Sequence, residues 1–273
     1  MISCFPDPHS DELLFSVYVR FDATMPYLHR GIAIREMFGV EYAAAAIDLP
    51  NRIDHLIGSI VIKHNYTADG LVDDNTLYPF YAPFIPPERA LAVRREMRES
   101  GTNHVYERLG ITAGRLKPPT YLKFCPECVS DDRRLCGETY WHRIHQVPGV
   151  EVCQHHSVFL EASAASWRTS KSREEVMTAE RAVHAMSPRP LDPSNNTHTA
   201  LLKLAEGAAW LLKWRGQALD SEVLLNRYYN LLLRRGLAFF NGRVRSSELT
   251  EKFITFYTPE LLERLQCPIG DQS

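Results

Sequence analysis

The sequence predicts a mainly α-helical chain in three parts: a helical N-terminal region, a zinc-stapled knuckle module with short strands, and a C-terminal helix-turn-helix-like region. Three observations carry this. Apolar residues recur at helical spacing through much of the 273 residues. Paired cysteine and histidine ligands sit in the middle of the chain. Capping residues mark helix starts after residue 199. At 45% hydrophobic, a chain of this length can bury a substantial core.

The opening Phe5-Pro6-Asp7-Pro8-His9 reads as extended, because each proline pushes its predecessor out of the α region. Ser10 is expected to cap a first helix, with Asp11 and Glu12 in its first turn and Leu13, Leu14, Val17 and Phe21 facing inward. Residues 31–46 read as a second helix, Ala-rich towards its end and broken by Asp48-Leu49-Pro50. Arg52 to His64 reads as a third. From Tyr66 to Pro87 a loop is expected, anchored by Tyr78, Phe80, Tyr81 and Phe84. Pro87, at a first helical position, starts a charged helix that Gly101 ends.

Cys125 and Cys128 form a Cys-x2-Cys pair, and Cys153 with His156 a Cys-x2-His pair. Four such ligands on two knuckles suit a closed, tetrahedral, structural Zn²⁺ site, one ion per chain. A site of this kind contributes folding free energy, about 10–16 kcal/mol in small zinc peptides. Tyr121–Phe124 is expected as a strand leading to the first knuckle and Val150–Val152 as the lead into the second. A helix is expected within Asp131–Gln146, with Trp141, His142 and His145 near the metal. Two alternatives stay open: the cysteines pair as disulfides, or His155 replaces His156. Cys4, Cys136 and Cys267 read as ordinary thiols.

Residues 161–198, rich in Ser, Thr, Pro and Asn, are the best linker candidate. Beyond them, Thr199 begins a helix with Leu201, Leu204, Ala208, Leu211 and Leu212 on one face, stopped by Gly216. Asp220 caps the next, Ser247 a third with Leu249, Phe253 and Phe256 inward, and Thr258-Pro259 a fourth. The divisions are therefore 1–114, 115–160, 161–198 and 199–273. The connection Gly236–Arg245 is longer than the three- or four-residue turn usual in a helix-turn-helix.

Charge is uneven. Residues 1–93 carry six basic against twelve acidic residues, a balance of −6. Residues 227–245 carry Arg227, Arg234, Arg235, Arg243 and Arg245 with no acid, and Lys252 follows. These six cations are the candidate contacts to double-stranded DNA, since Arg243 and Arg245 precede a helix N-terminus, where backbone N–H groups also favour phosphate. Solvated helix faces are the plainer reading of the same charges. The chain has no N-terminal signal segment and no apolar run of about 18 residues, which argues against a membrane and for the cytoplasm. No His-Glu-x-x-His, phosphate-cradling glycine loop or Gly-x-Ser-x-Gly occurs, so an enzyme is not expected. A zinc-stapled nuclease using His142 and His145 is the remaining catalytic alternative.

Several stretches together resemble the TniQ/TnsD family of bacterial transposon target-selection proteins. They are Phe5-Pro6-Asp7-Pro8 with Asp11-Glu12-Leu13-Leu14 and Arg20, Tyr121 to Cys128, Tyr140 to Val150, and Cys153 with His156. The resemblance implies a non-enzymatic adaptor that selects an insertion site and recruits a AAA+ ATPase regulator (TnsC), which passes the site to the transposase. It implies metal ligation by Cys125, Cys128, Cys153 and His156. By the same analogy the N-terminal segment, including Phe5, Pro6, Asp7, Pro8, Asp11 and Glu12, meets the ATPase. Some members act instead beside a Cascade-type RNA-guided CRISPR effector complex, which is the alternative function. Homing-type members are longer, so this sequence is expected to be an N-terminal piece of such a protein.

Overall fold

The computed structural model describes residues 2–25, 30–40, 46–99, 104–111, 118–167, 177–216 and 220–265. The fold is mainly α, with a few short strands gathered around the cysteines. Helices α1 (Leu14–Thr24), α2 (Arg30–Phe38), α3 (Ile53–Ser59), α4 (Ala68–Asn75), α5 (Tyr78–Tyr81), α6 (Pro87–Arg98) and α7 (Val105–Arg108) build the N-terminal region. Strand β1 (Tyr121–Phe124) leads into α8 (Pro126–Cys136), and β2 (Val152–Cys153), β3 (Val158–Phe159) and β4 (Glu161–Ser166) follow. Helices α9 (Ala179–Ala182), α10 (Asn196–Lys213), α11 (Ser221–Arg234), α12 (Ser246–Tyr257) and α13 (Pro259–Arg264) complete the chain. One continuous hydrophobic cluster runs from Ile2 through Trp141 and Leu212 to Leu261.

Local chemistry explains most boundaries. Thr67 caps α4 by accepting from the Gly70 N–H at 3.0 Å. Asn195 caps α10 through the N–H groups of Thr197 and His198. Gly137, at φ 85°, ends α8 in the left-handed conformation that favours glycine. As expected, Asp220 caps α11 and Thr258 caps α13. The α10 stripe is mostly as expected, with Leu201, Ala208 and Leu212 buried, although Leu204 is on the surface.

Several expectations are corrected by tertiary contacts. The first helix starts at Leu14, not after Ser10, because Asp11 sits at φ 57° and Glu12 pairs with His142 across an antiparallel bridge. The helix expected to His64 stops at Ser59, where Ile60 pairs with Ile2 instead. The stretch expected as a loop holds α4, capped by Thr67, and α5: Pro79 and Pro83 occupy first-turn positions and so start helical turns rather than break them. The helix in the metal module begins at Pro126, inside the first knuckle, and ends before Trp141. On α12, Phe253 and Phe256 do not face inward; Phe256 is 72% exposed, and both rings rest on Tyr257. Docking is done by α13, whose Leu261 and Leu262 are buried. The expected helix end at Gly101, the Ala-rich part of the second helix and Cys267 lie outside the described residues.

The stretch 161–198 contributes structure. β4 pairs antiparallel with β1, with Lys123 opposite Ala162 and Phe124 opposite Glu161. Phe159 N–H donates to the Arg189 carbonyl, and Leu191 N–H to that of Ser157.

Candidate metal centre and binding surfaces

The first knuckle is a strand-to-helix turn. β1 delivers Cys125 to the N-cap of α8, Pro126 fixes the first helical residue, and Cys128 returns one turn later. Cys128 N–H points at Cys125 Sγ, 3.5 Å away. The second knuckle is the β2–β3 hairpin, with Cys153 opposite Val158 and His156 in the turn between them. Ser157, at φ 52°, closes that turn by donating to the Cys153 carbonyl.

The four ligand atoms lie within 4.8 Å of one another. His156 Nδ1 is 3.5, 3.3 and 3.6 Å from the sulfurs of Cys125, Cys128 and Cys153. Cys128 and Cys153 are 3.7 Å apart, sulfur to sulfur. A tetrahedral ion with Zn–S and Zn–N bonds of about 2.3 and 2.0 Å would set S···S and S···N edges of roughly 3.8 and 3.5 Å. The residues present therefore fit one tetrahedral metal ion. His155 is excluded from the set, since its ring lies against Gln154 at the surface. Packed this closely, the sulfurs compete for protons. Bonds to Cys125 and Cys153, then burial, push the Cys128 thiol up, while bonds from Cys125 and Cys128 pull Cys153 down. The cluster thus holds a shared negative charge, and a cation between the sulfurs would release the remaining thiol protons.

A supporting shell surrounds the ligands. His156 Nε2 meets Asp131 Oδ2 at 3.2 Å, which fixes the ring with Nδ1 towards the sulfurs. Fully buried His145 lies with Nε2 3.9 Å from Cys128 Sγ, and burial pulls its pKa down, keeping it neutral. His142 bonds Asp132 at 2.9 Å, and Thr139 donates to the same carboxylate. The two histidines lie on an extended segment and a 3-10 turn rather than on a helix. They are engaged in packing and hydrogen bonding. Asp131 and Asp132 were not singled out by sequence; their signal was an acidic pair one turn after Cys128.

The N-terminal segment is stitched to this module. Leu13 N–H donates to the Trp141 carbonyl and Arg143 N–H to that of Asp11. Asp11 Oδ1 pairs with Arg143 at 3.2 Å. The Glu12 carboxylate is fully buried and receives Ser16, the His9 N–H and Arg20 at 2.7, 2.8 and 2.9 Å. Phe5 is inside, 6.2 Å from both Phe21 and Tyr66, so among residues 5–9 Asp7 is the exposed one. Pro8 and Asp11 line a cleft of about 480 Å³ with Asn65, Thr67, Lys213 and Arg215.

The basic residues lie at the other end. Arg227, Arg234, Arg235, Arg243 and Lys252 are exposed, and none has an ion-pair partner among the described residues. Arg245 differs: it pairs with Glu248 at 2.9 Å and lies 4.1 Å over the Phe239 ring. The connection between α11 and α12 is a β-hairpin with Ala238 opposite Val244. No described residue of α11 is buried, and Leu225, Tyr228 and Leu231 stand open on it.

Among the described residues, no helix is long and apolar enough to cross a membrane. The family model described as TniQ matches residues 3–160. The transposon Tn7 transposition protein TnsD of Escherichia coli is 28% identical over 156 residues, which are 57% of this chain and 31% of that protein. The chain thus aligns with about a third of that relative's length.

Proposed function

The chain belongs to the TniQ family, and from this we propose that it is a transposition target-site selector acting by binding rather than catalysis. It would hold one structural Zn²⁺, contact duplex DNA and recruit the AAA+ ATPase regulator (TnsC), which engages the transposase. The observation that carries this reading is the family match over residues 3–160 together with the Cys3His cluster folded inside it. Zinc is favoured over other ions by the thiolate-rich, four-ligand set, which leaves no open position for substrate.

The N-terminal 1–114 region serves as the ATPase-facing part. Pro6, Asp7, Pro8 and Asp11 present a Pro-stiffened edge beside the cleft, which loses little entropy when a partner segment is laid against it. Phe5 and Glu12 hold that edge from within. The 199–273 region serves as the DNA-facing part, with Arg227, Arg234, Arg235, Arg243 and Lys252 reaching phosphates and Arg245 bracing the hairpin. Residues 115–160 are the staple between them.

A second reading is favoured by the open apolar side of α11. Leu225 and Leu231 suit a protein surface better than phosphate, as an RNA-guided member docking on a Cascade-type complex would require. Gel shifts on candidate attachment-site DNA, with and without guide-RNA components, separate the two. Binding by the chain alone supports direct selection. Binding only with the guided complex supports the second reading, and DNA cleavage by the chain alone would contradict both.

A further inference from the structure

We propose that the hairpin Leu237–Arg245 is a DNA wing whose tip residue, Phe240, wedges between base pairs in the minor groove. This rests on the DNA-binding reading above and deepens it.

Phe240 is 99% exposed, the most exposed large apolar residue among those described. It is not on a loose loop. Phe239 N–H donates to the Arg243 carbonyl at 2.8 Å, Gly242 N–H to that of Phe239 at 3.2 Å, and Arg245 N–H to that of Leu237 at 2.9 Å. The Tyr229 hydroxyl, on α11, donates to the Phe239 carbonyl and accepts from Gly242 N–H, so one side chain clamps both strands of the tip. Gly242, at φ 87°, closes the turn over Phe240-Asn241 in the left-handed conformation that favours glycine. The hairpin base is anchored by Leu237 and Ala238, both buried, and braced by the Arg245 guanidinium over Phe239. A fixed turn therefore holds an aromatic ring out in water with no neighbour.

The charge around it identifies the partner. Between Val223 and Ser247 there are five arginines and no acidic residue. Arg243 is on the hairpin itself, and Arg234 and Arg235 end the helix that carries Tyr229. An exposed aromatic tip flanked by unpaired cations matches a polyanion with stacked rings inside it. Apolar wedges of this kind enter the minor groove and partly unstack a base step while nearby cations take the phosphates. Only the ring need enter the groove, because the kink that accompanies unstacking bends the duplex away from the wedge.

The test uses the full chain on mixed-sequence duplexes carrying a fluorescent adenine analogue, which brightens when a step unstacks. Wild type should bind and raise the fluorescence. Phe240→Ala should abolish the rise and weaken binding roughly tenfold, with the salt slope unchanged because no phosphate contact is lost. Phe240→Leu should keep most of the signal. Arg243→Ala should flatten the salt slope yet keep the signal in the bound complex. Melting temperature and metal content should not move in Phe240→Ala, since the ring touches nothing. Persistent unstacking in Phe240→Ala would overturn the wedge while leaving DNA binding intact. Unchanged DNA behaviour together with loss of ATPase capture would make the tip a protein contact and overturn it too. Absence of any duplex binding by wild type would remove the DNA reading and the wedge together.

Discussion

His156 Nε2 lies 3.2 Å from Asp131 Oδ2, so an acid on α8 sets the rotation of a ligand carried by the β2–β3 hairpin. That bond ties the two knuckles together outside the sulfur cluster. Asp131→Ala should lower metal affinity about 10–100-fold, as loss of a ligand's outer partner commonly does. Cys125→Ser or Cys153→Ser should leave the chain insoluble or partly unfolded, because binding of a structural metal is coupled to folding. His142→Ala should be milder than either. Chelator competition and metal analysis check this, and a stoichiometry well below one ion in folded protein would contradict the site.

Phe5 packs on Phe21 and Tyr66, and truncating such a buried ring costs about 3–5 kcal/mol. Phe5→Ala, or deletion of residues 1–9, should therefore lower the melting temperature as well as ATPase capture. Asp7→Lys should cost capture alone, because Asp7 is exposed. Pull-down and thermal melting on the same variants separate the two effects. Unchanged capture by a stable Asp7→Lys, Pro8→Ala double variant would place the ATPase contact elsewhere.

Replacing Arg234 and Arg243 with Ala should weaken DNA binding on every sequence and reduce the salt slope by about 0.9 per lost phosphate contact. Arg245→Ala should act differently, lowering hairpin stability through its lost bond to Glu248 and its stacking on Phe239. Titrations across salt concentration give the slopes. An unchanged slope in the Arg234/Arg243 double variant would move the DNA surface off α11 and its hairpin.

Asp48 is buried and accepts from Leu49 N–H and the Tyr106 hydroxyl, and burial raises its pKa above the usual carboxylate value of 3.8. The folded chain therefore holds this proton to higher pH than the unfolded chain does. Stability from this group falls as pH rises from the ordinary carboxylate range through the raised folded value. Asp48→Asn, which keeps the acceptor and removes the charge, should melt like wild type at acidic pH and above it at neutral pH. Equal melting temperatures at both pH values would contradict this.

The sequence made the metal centre legible because its ligands are local pairs, and pair spacing alone defines a knuckle. Helices with their own caps, such as those begun by Asp220 and Thr258, were legible for the same reason. Elements decided by distant partners were not. Nothing near Asp11 announces that residues 11–16 will pair with residues 141–144 and delay the first helix. Nothing near Ile60 shows that Ile2 will end the third. Pro79 and Pro83 read as loop residues while Pro87 reads as a helix start, because a proline that starts a helix and one that breaks it look alike without the surrounding turn. Phe240 was passed over since exposure, not residue type, makes it unusual.

The central claim, that this chain joins a DNA site to an ATPase, is tested most directly by a supershift. The full chain is bound to candidate attachment-site duplex, and the AAA+ ATPase is then added with nucleotide. The account predicts a slower complex containing all three, formed at concentrations where the ATPase alone leaves the duplex free, and lost in Asp7→Lys or Arg234/Arg243→Ala. ATPase loading that is the same with and without this chain would contradict it.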